Sequence, residues 1–139
     1  MATRLQFQEM AESKIFEAEV LLVNGLDDGA FYLCGYAVEF ALKAAICNRM
    51  GIEMFENVAI VRDISKSFKI HRLNDLVILA SLWPIFEESK SADQGLNGAW
   101  SLISGWSEQK RYDNGCDHDT ANDFIEAVKV FMIWIRNYW

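Results

Sequence analysis

The chain has 139 residues, with 20 acidic side chains against 13 Lys and Arg, a net charge of −7. That balance argues against a general nucleic-acid coat, which needs a basic face, but it leaves room for a small basic patch on an acidic body. The length suits a single domain, 1–139, with a real core, and the 52% hydrophobic share implies some apolar surface reserved for a partner or a second copy.

The first helix is expected from Leu5 to Val23, with an inward stripe of Leu5, Met10 or Ala11, Ile15, Ala18 or Glu19, and Leu22. Asn24-Gly25 stops it, and the short link to Gly29 folds the next helix back antiparallel. Asp27 or Asp28 is placed to cap that second helix. The second helix, Gly29 to Asn48, is apolar almost all round and ends near Gly51. Ile52 to Lys69 reads as irregular, with one short helical turn expected over Val58–Ile64. A third helix is expected from His71 to Trp83, closed or kinked by Pro84, then a polar connector over Glu87–Gly98. A shorter helix follows from Leu96 to Ser107, then a polar segment, Glu108–Asp119, with a turn at Asn114-Gly115. The last helix is expected from Thr120 to Asn137, capped by Asp117, Asp119 or Thr120. No segment alternates with period two long enough for a strand. The fold class is therefore all-α, an up-and-down antiparallel bundle of about five helices.

Cys34, Cys47 and Cys116 lack any CxxC or Cys/His spacing, so they read as reduced thiols without a zinc site. The N-terminus MATRLQFQEMAESK is polar and mixed in charge, unlike a signal peptide. A cytoplasmic protein without metal or cofactor is expected. Gly29–Asn48 is long enough to span a bilayer, but Glu39 and Lys43 would each cost about 2.5–3.5 kcal/mol at mid-membrane. A buried soluble helix without membrane contact is the cheaper reading.

Glu39 and Lys43 are also the most informative residues of the chain. They stand at i and i+4, acid first, on the face that carries Tyr32 and Tyr36. A polar stripe on an otherwise apolar helix is either a satisfied structural network or one wall of a site. Two further clusters are Phe68-Lys69-Ile70-His71-Arg72 and Arg111-Tyr112-Asp113 with His118; together they hold both histidines. The acid pairs Asp27/Asp28 and Glu87/Glu88 point in different directions and carry no catalytic weight. No Gly-rich phosphate loop, HExxH or GxSxG motif occurs.

Five short elements in order resemble one family. They are Ala18-Glu19 with Leu21-Leu22; a short turn with an acid; the spaced set Ala30, Leu33, Tyr36, Glu39, Lys43; the His71 helix start in FKIHRLNDL; and Arg111-Tyr112-Asp113 before a last helix. This order is similar to the HEPN domain (higher eukaryotes and prokaryotes nucleotide-binding), in the branch with an Arg-Tyr-Pro-Asp element, here lacking its proline. The resemblance implies a helical bundle, commonly a homodimer, with two broad roles. One is a non-catalytic nucleotide- or RNA-binding module beside a minimal nucleotidyltransferase chain. Its cleft here would use Tyr32, Tyr36, Glu39, Lys43, His71, Arg111 and Tyr112, with Lys43, His71 and Arg111 toward phosphate. The other is a metal-independent RNase toxin, as in toxin-antitoxin pairs, using an Arg-x4–6-His motif that Arg111 and His118 formally fit. Two departures set this chain apart from the RNase pattern: Tyr112 follows the arginine where a small polar residue is usual, and Asn114-Gly115 interrupts the expected helix. The binding module is the leading expectation, the RNase the alternative, and a purely structural dimer or adaptor the third.

Overall fold

A computed structural model describes residues 2–53, 72–109 and 115–139, and among them the regular elements are six α-helices. They are α1 (Arg4–Val23), α2 (Asp27–Met50), α3 (Leu73–Leu79), α4 (Trp83–Ala92), α5 (Gln94–Ile103) and α6 (His118–Ile135). The all-α class is as expected; the helix number is not.

Local chemistry sets the ends of α1 and α2. Thr3 and Gln6 form a reciprocal capping box, with bonds of 3.1 and 2.9 Å, which satisfies two amides at the start of α1. Gly25 and Gly51 take left-handed backbone (φ 74° and 68°) directly after α1 and α2. Each lets the next amide reach back five residues, Leu26 N to Leu21 O and Ile52 N to Cys47 O, both at 2.9 Å. The link 24–26 then makes α1 and α2 a helical hairpin. The inward side of α1 is Phe7, Ala11, Ile15 and Ala18, whereas Leu5, expected inside, is exposed.

The middle of the chain corrects the sequence reading. The expected helix from His71 to Trp83 is only α3, and the expected connector Glu87–Gly98 is largely helical, covered by α4 and α5. Ser81 is the reason α3 stops: its φ is 59°, and Leu82 N bonds to Val77 O at 3.1 Å, so it closes α3 as glycines close α1 and α2. Pro84 therefore opens a helix instead of ending one, since an early helical position needs no amide donor. Asp93 caps α5 through Leu96 N at 3.2 Å. Within Glu87–Gly98 only Leu96 is buried, and the inward residues that anchor α4 and α5 flank the stretch at Phe86, Ala99 and Trp100. His71 and the turn expected over Val58–Ile64 lie outside the described residues.

The direction of the long helices follows from cross-links at their ends. Asp27 meets His118, and Asn48 donates to Tyr138 O at 2.8 Å, so α2 and α6 run parallel. Glu12 meets Arg136 and Glu19 meets Lys129, so α1 runs against α6. A strictly alternating bundle was expected; among the described residues three short helices lie between α2 and α6, and α6 starts at the end where α2 began.

The core lies where α2 meets α1, α3 and α6. Ala37, Ala41, Ala44 and Ala45 are fully covered and let neighbours approach closely. Phe86 anchors an aromatic cluster, 4.6 Å from the Trp134 ring centre and 4.8 Å from Trp100. By length and composition α2 could cross a membrane, but 72% of its most apolar window is buried by the other helices. The apolar excess lies outside, at Phe16 and Val23 on α1 and Ile133 on α6, which are 69%, 86% and 70% exposed.

A left-handed serine costs about 1 kcal/mol that glycine avoids. Ser81→Gly should therefore raise stability by about 0.5–1 kcal/mol in urea titration; a loss would show that the Ser81 side chain contributes to the turn.

Candidate functional site

The polar stripe of α2 divides into two pairs. In the first, the Tyr32 and Tyr36 hydroxyls are 2.9 Å apart and their rings meet edge to face at 5.1 Å. Trp106 stands edge-on against Tyr36 at 5.1 Å and donates its indole N–H to Tyr32 O at 3.2 Å. Gly35 makes this approach possible, because any Cβ there would overlap the indole. Both tyrosines are half-buried. Burial, then the Tyr32 hydroxyl, then nearby negative charge at Glu39 and Glu108 push the Tyr36 phenol far above its usual range. It stays neutral and can donate. The pair uses one hydroxyl proton internally, and the other has no acceptor among the described residues.

The second pair is deeper. Glu39 is 1% and Lys43 8% exposed, with Lys43 Nζ 3.3 Å from Glu39 Oε2. The acid-first i,i+4 order gives that contact along one helix face. Lys43 was expected to face phosphate; here its ammonium is held by Glu39 within the bundle.

A third arrangement forms where α2 and α6 both begin. Asp27 and Asp28 were expected to cap α2, but Leu26 is the N-cap and has no side-chain cap bond. The two carboxylates reach across instead. Asp28 accepts from Gly115 N at 3.2 Å and Cys116 N at 2.7 Å. Asp27 Oδ1 lies 2.9 Å from His118 Nδ1. Their adjacent, diverging directions let them hold two parts of one segment. His118 is the first residue of α6, its side chain 59% exposed. Asp117 caps α6 by accepting from Thr120 N at 2.7 Å, and that bond holds its carboxyl below the usual range.

The structure thus brings Tyr32, Tyr36, Glu39 and Lys43 together on α2 and sets His118 at the start of that helix. Tyr32 is roughly 7–8 Å further along the axis than Asp27. His71, Arg111 and Tyr112 lie outside the described residues. Residues 115–117 are not helical, so no single helix runs up to His118 from the arginine side. The sequence reading did not mark Trp106 or Gly35 as site residues, and it took Asp27 and Asp28 only as helix caps without catalytic weight. The contacts of Asp27 and Asp28 span 87 to 91 positions, and no local signal announces them.

Burial pushes the Cys34 thiol up to about 12 and the Cys47 thiol up to about 11, which makes both unreactive. Among the described residues no group of three His, Cys, Asp or Glu could hold a metal ion. Set against known family models, curated proteins and solved structures, the chain matches none.

Two consequences can be measured. Lys43→Met strips the Glu39 carboxylate of its buried cation and should cost about 3 kcal/mol in chemical denaturation. A cost under about 1 kcal/mol would mean that the pair is dispensable. The Asp117 carboxyl is depressed in the folded state, so its contribution is present above the unfolded value and lost as pH falls through the folded one. Native protein should therefore lose stability relative to Asp117→Ala below about pH 4, and the two curves should converge in acid. A constant gap down to pH 2 would contradict this.

Proposed function

We propose that the protein is a HEPN-like cytoplasmic binding module for a nucleotide or an RNA end, working as a homodimer beside a minimal nucleotidyltransferase chain. What carries the reading is the half-buried Tyr32–Tyr36 hydroxyl pair. It keeps a proton available for an acceptor oxygen, and Trp106 stands beside it as an aromatic edge. Neutral phenols can hydrogen-bond phosphate or base oxygens without adding charge, and aromatic edges suit bases. In this reading His71, Arg111 and Tyr112 complete the cleft. Lys43 contributes through the Glu39 network behind the tyrosines, and the exposed apolar residues of α1 and α6 serve the dimer.

A second reading is the metal-independent RNase, and the contact of Asp27 with His118 favours it. Nδ1 is engaged by a carboxylate, and Nε2 has no partner among the described residues. Nε2 would take the 2′-hydroxyl proton, the 2′-oxygen would bond to phosphorus, and the bond from phosphorus to the 5′-oxygen would break. Water would protonate the departing oxygen, and the hydroxide so formed would take the proton back from the imidazolium. The products are a 2′,3′-cyclic phosphate and a 5′-hydroxyl, with Arg111 neutralising the phosphate in the transition state. The third reading, a structural adaptor, draws on the Glu39–Lys43 pair, whose charges meet each other inside the bundle.

Calorimetric titration with ATP and with a ten-nucleotide RNA separates the three. The binding module predicts saturable heat, weakened at least about tenfold by Tyr36→Phe and by Arg111→Ala, with unfolding curves little changed. No heat with either probe overturns it. Cleavage of the RNA in chelator, abolished by His118→Ala, would establish the RNase instead.

A further inference from the structure

The arrangement at the start of α6 goes beyond a helix cap. Asp28 fixes the backbone at Gly115 and Cys116, and Asp117 fixes the first turn through Thr120. The backbone that carries His118 is therefore held on both sides of the residue. The imidazole is held separately, by Asp27 on another helix, at 2.9 Å. A surface histidine with no task needs none of this, since water solvates it well. A carboxylate on Nδ1 favours the tautomer with the proton there and leaves Nε2 as the acceptor.

We propose that Asp27 is a positioning residue for His118, fixing its Nδ1–H tautomer and presenting Nε2 as the proton acceptor for a ribose 2′-hydroxyl. The proposal rests on the RNase reading above. Among the described residues, the helix starts beside the imidazole carry acids: Asp27 and Asp28 on α2, Asp117 and Asp119 at the start of α6. They disfavour a phosphate settling on the imidazole itself. The group that fits against Nε2 is thus a neutral hydroxyl, such as the ribose 2′-hydroxyl, with the phosphate it attacks on the side away from the imidazole.

Nitrogen-15 NMR of the imidazoles in the full chain, with His118→Gln to assign the two histidines, reads the tautomer directly. Native protein at pH 8 should show His118 protonated at Nδ1. Asp27→Asn should shift it toward the Nε2–H form and lower the rate of cleavage of a ten-nucleotide RNA in chelator by at least about tenfold, with KM less affected. Asp119→Asn removes a neighbouring charge without touching the ring contact, and should leave the tautomer in place. Native His118 protonated at Nε2, or Asp27→Asn cleaving at the native rate, overturns the role of Asp27. A native protein with the Nδ1–H tautomer that cleaves no RNA overturns the RNase reading, and the catalytic role of Asp27 with it.

Discussion

Everything in this bundle answers to the fact that α2 has no side it can leave bare. From Ala30 to Cys47 only a few positions are even half-exposed, and Ala37, Val38, Ala41, Leu42, Ala44, Ala45, Ile46 and Cys47 are fully covered. An isolated helix of that composition would associate or aggregate, so the rest of the chain forms a jacket. The hairpin with α1 covers one side because the link is too short for anything else. α3 and α6 cover others, and Trp106 closes the gap over Gly35. The same constraint makes the Glu39–Lys43 pair consequential. Two opposite charges inside this jacket offset each other's desolvation, whereas one alone would destabilise the helix on which the others pack.

The ends of α2 are tied as firmly as its middle is buried. At its start, Asp27 and Asp28 hold the segment that leads into α6. At its end, Asn48 holds Tyr138 O, while Arg4 and Gln8 of α1 donate to Trp139 O at 2.6 and 2.8 Å. Parallel packing of α2 and α6 places two positive helix ends side by side, and the four carboxylates there compensate them. That gives the acidic cluster a structural reason to exist. The contact between Asp27 and His118 is the part that this reason leaves over, because the imidazole contributes nothing to compensating a helix end.

Much of the fold was legible in the chain because its signals are local. Asn24-Gly25 and Gly51 end helices where the sequence places them, Asp117 is one of the three caps it offers, and the i,i+4 order brings Glu39 and Lys43 together as it should. The division of the middle was illegible for equally physical reasons. A serine does at position 81 what glycine usually does, and Pro84 sits where it can open a helix as readily as close one. Leu5 and Phe7 show the limit of a stripe: both suit a helix, and only the packing partner, Phe40 at 6.1 Å from Phe7, decides which faces in. For the candidate site, the residues that share α2 could be read together, while Trp106 and the pair Asp27–His118 depend on contacts 74 and 91 positions apart.

The functional proposals all hang from α2, at its start through Asp27, along its face through the tyrosines, and in its interior through the ion pair. They require α2 to be the rigid, fully jacketed element of the fold. Native-state hydrogen exchange tests this most directly. The amides from Cys34 to Cys47 should exchange only through global unfolding, at a free energy equal to that from denaturant titration. Exchange of that segment through smaller openings, at free energies no higher than those of α1 or α4, would contradict the account.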